Sequence, residues 1–131
     1  VRRGFTLIEL LIVMSIIAAL MAVATPVGVN AVAQAKATNV AGNFRTLQQA
    51  VIQMITLEPT PPKSGDILEY LYTKGYISTK PIGFEVGYET NEKAYIIRYT
   101  QSDVDVVKVK NIFSAVEINS SGGLVLRIPA P

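Results

Sequence analysis

Residues 3–26 read RGFTLIELLIVMSIIAALMAVATP, and the reading of everything else depends on this stretch. Arg2 and Arg3 stand at its start and the next cation is Lys36, so the run from Leu10 to Ala35 carries no charge. Taken from Phe5 to Thr25 it is about 21 residues, or about 31 Å of helix, which matches the hydrocarbon layer of a bilayer. Basic residues on the N-terminal side predict a cytoplasmic N-terminus and an exported C-terminal part. Glu9 is the informative exception. A carboxylate in a membrane helix costs about 2.5 to 3.5 kcal/mol at the centre, less toward the interface, and is a functional candidate by default. One turn from the helix start it also complements the helix dipole, and the two readings weigh evenly. A cleaved signal peptide has a similar outline, and Ala22-Val23-Ala24 imitates its cleavage site. Glu9 opposes that reading, because a cleaved apolar region gains nothing from a carboxylate. Ser15, Thr25 and the alanines at 18, 19, 22 and 24 suit close helix packing in lipid.

Composition narrows the function classes. The chain has 131 residues, length for one domain, and 17% of them are charged, against roughly 25% in soluble domains. The formal net charge of +2 is too small for a nucleic-acid footprint. There is no histidine and no cysteine, which removes the commonest acid–base group, the thiol nucleophile, Cys/His zinc sites and disulfides. The chain therefore reads as a non-enzyme that needs no cofactor. Gly83, Gly87, Gly122 and Gly123 form no phosphate loop, since no Gly-Lys-Ser/Thr follows them. Asp103 and Asp105 are the nearest thing to a carboxylate pair and the weak candidates for calcium. One Asp-x-Asp lacks the six or more oxygens calcium takes, so a solvated hairpin end is the plainer reading. The tyrosines at 70, 72, 76, 88, 95 and 99 offer an aromatic surface for adhesion or DNA, against the commoner role of half-buried packing.

Beyond Pro26 and Gly28 a helical period resumes. Ala33, Ala37, Val40, Phe44, Leu47, Val51 and Ile55 recur at steps of four and three, one face of a helix. Pro59, Pro61 and Pro62 end it. A helix from Phe5 to Leu57 is about 53 residues, or about 80 Å, far more than a bilayer, so its second half packs against something in water. Ser64 reads as the cap of a short helix with Asp66 in its first turn, an apolar face of Ile67, Leu68, Leu71 and Tyr72, and a stop at Gly75. Strand signals follow at Phe84–Tyr88, Ala94–Tyr99, Val104–Val109, Ile112–Ile118 and Leu124–Ile128, with turns at Thr90-Asn91-Glu92 and at 119–123. The fold class is α+β, with one antiparallel sheet of three to five strands on the second half of the long helix. Residues 58–131 are too few for a strong core alone, so that helix supplies the missing apolar surface.

Arg3-Gly4-Phe5-Thr6-Leu7-Ile8-Glu9, followed by the apolar or small residues from Leu10 to Val23, resembles the class III leader of type IV pilins and type II secretion pseudopilins. Ile67 to Pro81 is similar to the loop that follows the long helix in those proteins. The resemblance implies a pilin-like fold: a leader at 1–4, a long helix at 5–57 with residues 5–25 as transmembrane segment and filament core, and a globular part at 58–131 packed on helix 33–57. It implies that a prepilin peptidase cuts between Gly4 and Phe5 and methylates the new amino group of Phe5. It implies that Glu9 pairs with the Phe5 amine of a neighbouring subunit, and that Pro26 marks where the helix loosens in the filament. The implied partners are other copies of the chain and related pilins, the peptidase, an inner-membrane assembly platform, and membrane lipid before assembly. The implied path runs from a single-pass inner-membrane precursor to a periplasmic or cell-surface filament. A type IV pilus subunit is the first reading. A pseudopilin of a periplasmic piston is the alternative, as is a minor pilin for DNA uptake or adhesion; the missing cysteine pair moves weight toward the pseudopilin or toward a pilin that folds without disulfides. Some proteins resembling this chain hold calcium in their sheet loops, which keeps Asp103 and Asp105 in view.

Overall fold

The computed structural model describes residues 4–130, so Arg2 and Arg3 of the leader lie outside the described residues. Helix α1 spans Leu7–Leu57 and the chain divides within it, into one compact unit ending at Gln34 and a second beginning at Ala35. The expected start at Phe5 is corrected to Leu7, because Thr6 is the cap. Its carbonyl accepts the amide of Leu10 at 3.1 Å and its hydroxyl accepts the amide of Glu9 at 3.1 Å, satisfying donors that a helix start leaves without partners. Pro26 lies inside α1, and the helix continues through it.

Among its described residues the first unit has no core. Every described residue from Gly4 to Val32 is exposed, including its leucines, isoleucines and valines.

The second unit is built differently. Residues 35–57 of α1 bury Ala37, Val40, Ala41, Phe44, Leu47, Ala50, Val51 and Met54. The expected face is there, widened by Ala41, Ala50 and Met54, while Ala33 and Ile55 are only half-buried. A wider stripe is what a helix facing a broad sheet requires. Helix α2 (Ile67–Thr73) is capped by Asp66, not Ser64, with the Asp66 carboxylate accepting the amide of Glu69 at 3.2 Å. Ile67, Leu68 and Leu71 are buried, whereas Tyr72 faces out. Gly75, at φ 83°, ends it: Tyr76 N–H reaches Leu71 C=O at 2.9 Å and Gly75 N–H reaches Tyr72 C=O at 3.2 Å. That left-handed closure favours glycine for want of a Cβ clash.

Strands β1 (Phe84–Glu89) and β2 (Ala94–Tyr99) follow as a hairpin. Then come helix α3 (Val106–Ile112), the two-residue β3 (Glu117–Ile118) and β4 (Leu124–Pro129). The sheet is antiparallel throughout in the order β1-β2-β4-β3. Its register places Phe84, Tyr99 and Leu124 in one rank, Val86, Ile97 and Leu126 in the next, and Tyr88, Tyr95 and Ile128 in the third. Because strand side chains alternate, all nine share one face, and they cluster with the buried residues of α1 and α2. Phe44 of α1 meets Phe84 edge to face at 5.0 Å, and Phe84 meets Tyr99 at 5.0 Å. On the other face Arg127 bonds Glu92 at 3.0 Å and also pairs with Glu117.

Two expected strands are corrected. Val104–Val109 and Ile112–Ile118 become helix α3, a connection and the short β3. Asp105 decides the first: its carboxylate accepts the amide of Val107 at 3.0 Å and its carbonyl accepts that of Val109 at 3.2 Å. Val109 is buried and Val106, Ile112 and Phe113 pack against the core, the three-to-four spacing of a helix. An N-cap and that spacing override the strand preference of the valines.

Candidate processing and assembly segment

Gly4, Phe5 and Thr6 belong to no helix or strand, and all three are exposed. The Gly4–Phe5 peptide bond therefore lies in open backbone just ahead of α1, where an enzyme reaches it without unwinding a helix. Among the described residues, a Cβ on Gly4 would meet nothing within 4 Å. Phe5 is 84% exposed and has no place in a core. Glu9 is exposed in the first turn of α1. Thr6-Leu7-Ile8-Glu9 has the Thr-x-x-Glu spacing of a capping box, a signal that would have found Thr6 from sequence. Thr6 is the residue of this segment that sequence reasoning missed.

Polar groups within the apolar stretch are handled locally. The Ser15 hydroxyl donates to the Leu11 carbonyl at 2.8 Å, so it does not need water. Pro26 has no amide to donate to the carbonyl of Ala22, which weakens the ladder there without interrupting the helix. The helix is long and apolar enough to cross a membrane, and its most apolar window is not buried. Fully burying one large aliphatic side chain is worth about 1.5 to 3 kcal/mol. A run of them from Phe5 to Val32 left in water loses on the order of tens of kcal/mol, so the segment belongs in lipid or against other chains.

The remaining sequence candidates lie in the second unit. Asp103 accepts the Tyr99 hydroxyl at 2.6 Å and faces Lys36 at 3.8 Å. Those partners hold its carboxyl below the ordinary carboxylate range, the Tyr99 hydrogen bond most of all. Tyr99 is pushed up to about 12, by desolvation first and by that same bond second. Asp105 is turned into the cap of α3. The two carboxylates thus serve different partners, and among the described residues no three His, Cys, Asp or Glu side chains gather as a metal site. Of the tyrosines, 95 and 99 are buried, 70, 76 and 88 pack against the core, and 72 is exposed. Tyr70 and Tyr76 both donate to the carboxylate of Glu58 at the end of α1, the latter at 2.8 Å. These bonds lower the pKa of Glu58 and raise those of both tyrosines, Tyr70 to about 12. This clamp ties α2 to α1 without a disulfide.

A long helix with a bare apolar half, a lone carboxylate in its first turn and a small antiparallel sheet on its other half is the layout of a pilin-like protein. Residues 1–25 match the family model described as the prokaryotic N-terminal methylation motif. The match covers the motif alone, the part of the chain that resembles a class III prepilin leader. Comparison with curated proteins and with solved structures gave no match. A prepilin leader joined to this helix fits a membrane-anchored precursor that a prepilin peptidase processes for assembly into filaments.

Proposed function

We propose that the protein is a structural subunit of a type IV pilus, drawn from the inner membrane into a helical filament. The observation that carries this is the apolar half of α1, exposed from residue 7 to residue 32. Such a surface exchanges lipid for neighbouring subunits and stays dry in both settings. Cleavage at Gly4–Phe5 removes Arg2 and Arg3 and leaves a methylated amine on Phe5. Glu9 lies four residues from that amine. In a waterless filament core an unpaired carboxylate or amine is costly, so an incoming subunit docks where the two neutralise each other across chains. That pairing sets the axial stagger. Pro26, with no amide to give, is where α1 loosens as the subunit leaves the membrane. The N-terminus faces the cytoplasm and the second unit is exported.

Electron microscopy of the native host tests the filament role. Surface filaments that disappear on deletion of this chain and return on complementation are expected. Wild-type cells without surface filaments, whose deletion strain loses only secretion of exported proteins, give the pseudopilin role instead.

A further inference from the structure

Residues 119–123 join β3 to β4 and hold a short motif that the filament role does not use. Of the six asparagines in the chain, Asn119 alone has a serine or threonine two residues on, in Asn119-Ser120-Ser121. Asn-x-Ser/Thr, with x other than proline, is the acceptor pattern for N-linked glycans on surface loops of exported proteins. Spacing alone does not make a site, and the fold supplies the second observation.

The backbone of Asn119 closes the loop. Its N–H donates to the Gly123 carbonyl at 2.8 Å and its carbonyl accepts the Gly122 amide at 3.0 Å. The side-chain oxygen pins the remainder. Asn119 Oδ1 accepts the Ser121 amide at 3.1 Å, the Ser121 hydroxyl at 2.9 Å and the Gly123 amide at 2.7 Å. Holding nearby backbone donors in a tight turn is ordinary for asparagine. The other end of the carboxamide takes no part: among the described residues, Nδ2 makes no hydrogen bond. A Cβ at position 123 would stand 3.2 Å from Nδ2, so glycine there leaves that nitrogen uncrowded. Ser120, Ser121 and Gly122 are exposed and Asn119 is half-exposed. A cleft of about 430 Å³ is lined by Asn119, Ser121, Gly122, Thr100, Gln101 and Ser102 among others, with Arg98 the single charged residue in its wall. Hydroxyl and amide groups of this kind donate to and accept from the hydroxyls of a sugar.

We propose that Asn119 is a glycosylation site, its Nδ2 carrying an N-linked glycan transferred from a lipid-diphosphate-linked oligosaccharide. The inference rests on the reading that the second unit is exported. In the transfer, Nδ2 forms a bond to the anomeric carbon of the first sugar, and the bond from that carbon to the donor's phosphate oxygen breaks. The lipid diphosphate leaves with the electron pair, and one Nδ2 proton passes to a base of the transferase. Nothing is oxidised or reduced. The product is still a neutral amide, so Oδ1 keeps its three bonds and the turn between β3 and β4 is unchanged. One atom of the side chain holds the fold and the other carries the sugar.

Trypsin cuts after Lys110 and Arg127, so residues 111–127 form one peptide. From protein purified out of the native host, this peptide should carry a glycan whose innermost sugar maps to Asn119 by electron-transfer fragmentation. Occupancy should fall to background in Asn119→Gln and in Ser121→Ala, the second of which keeps the Ser121 amide bond to Oδ1. It should persist in Ser120→Ala and Ser121→Thr. A glycan on Ser120 or Ser121 that survives Asn119→Gln overturns the assignment. An unmodified peptide from protein that protease reaches in intact spheroplasts overturns it too and leaves export standing. An unmodified peptide from protein that the protease cannot reach overturns export and glycan together.

Discussion

The two halves of α1 belong to one helix and have opposite fates. From Leu7 to Val32 every side chain is exposed, whereas from Ala37 to Met54 one stripe is buried under the sheet. The difference lies in the spacing of polar residues. The first half is apolar all round, which suits lipid or a bundle of identical helices. The second half interleaves Lys36, Asn39, Asn43, Arg45, Gln48 and Gln49 with its apolar positions, so a single face turns inward. One helix therefore carries a surface reserved for other molecules and a surface that completes its own domain. Damage to the first should abolish assembly with folding intact, and damage to the second should do the reverse.

The largest expected effect is on the N-terminus itself. Mass spectrometry of protein from the native host should find a chain beginning at methylated Phe5, with no full-length precursor in the assembled fraction. A chain beginning at Thr25, after Ala22-Val23-Ala24, would make the first half a discarded signal sequence and end the comparison. Next in size is one truncation placed in each half. Leu47 is fully buried, and Leu47→Ala should destabilise the second unit by about 2 to 5 kcal/mol in thermal or urea unfolding. Leu11→Ala should leave that transition within about 0.5 kcal/mol. Equal effects would mean that both halves share one core.

The helical period, the proline stop and three of the strands were legible because the pattern of residues 33–57 and the alternation in β1, β2 and β4 match the periods of their elements. Valine-rich Val104–Val109 was not, because its side chains favour a strand and only the cap chemistry of Asp105 says otherwise. Thr6 was missed for a related reason, a capping spacing hidden under the apolar run. The leader was plain from Gly4, Phe5 and Glu9 at fixed spacing. The packing of α3 beside α1 depends on contacts distant in sequence, so no local pattern announces it.

Smaller effects sharpen the boundary within the second unit. Asp105→Ala removes the cap of α3 and should cost about 1 kcal/mol, a loss that a strand at this position would not show. The acid limb of stability should be smaller still. The pKa of Glu58 is lowered in the fold from its ordinary 4.5, so its contribution is present above that pH and is lost as pH falls through the lowered value. Tyr70 works in the opposite sense. Raised from 10.0 to about 12, it contributes below pH 10 and loses that contribution as pH climbs toward 12. Glu58→Gln should flatten both limbs in melting curves taken across pH, while the apolar half of α1 adds no pH dependence to the unfolding of the second unit.

The central claim is that Glu9 acts between chains and not within one. Glu9→Gln removes the charge with little change of shape and keeps the backbone bond from Glu9 N–H to the Thr6 hydroxyl available. In a strain whose only copy carries this substitution, filaments counted by electron microscopy should be few or absent. Membrane insertion, the mature N-terminus and the melting temperature of the exported unit should be unchanged. Filaments of normal number and length would contradict the intersubunit pairing.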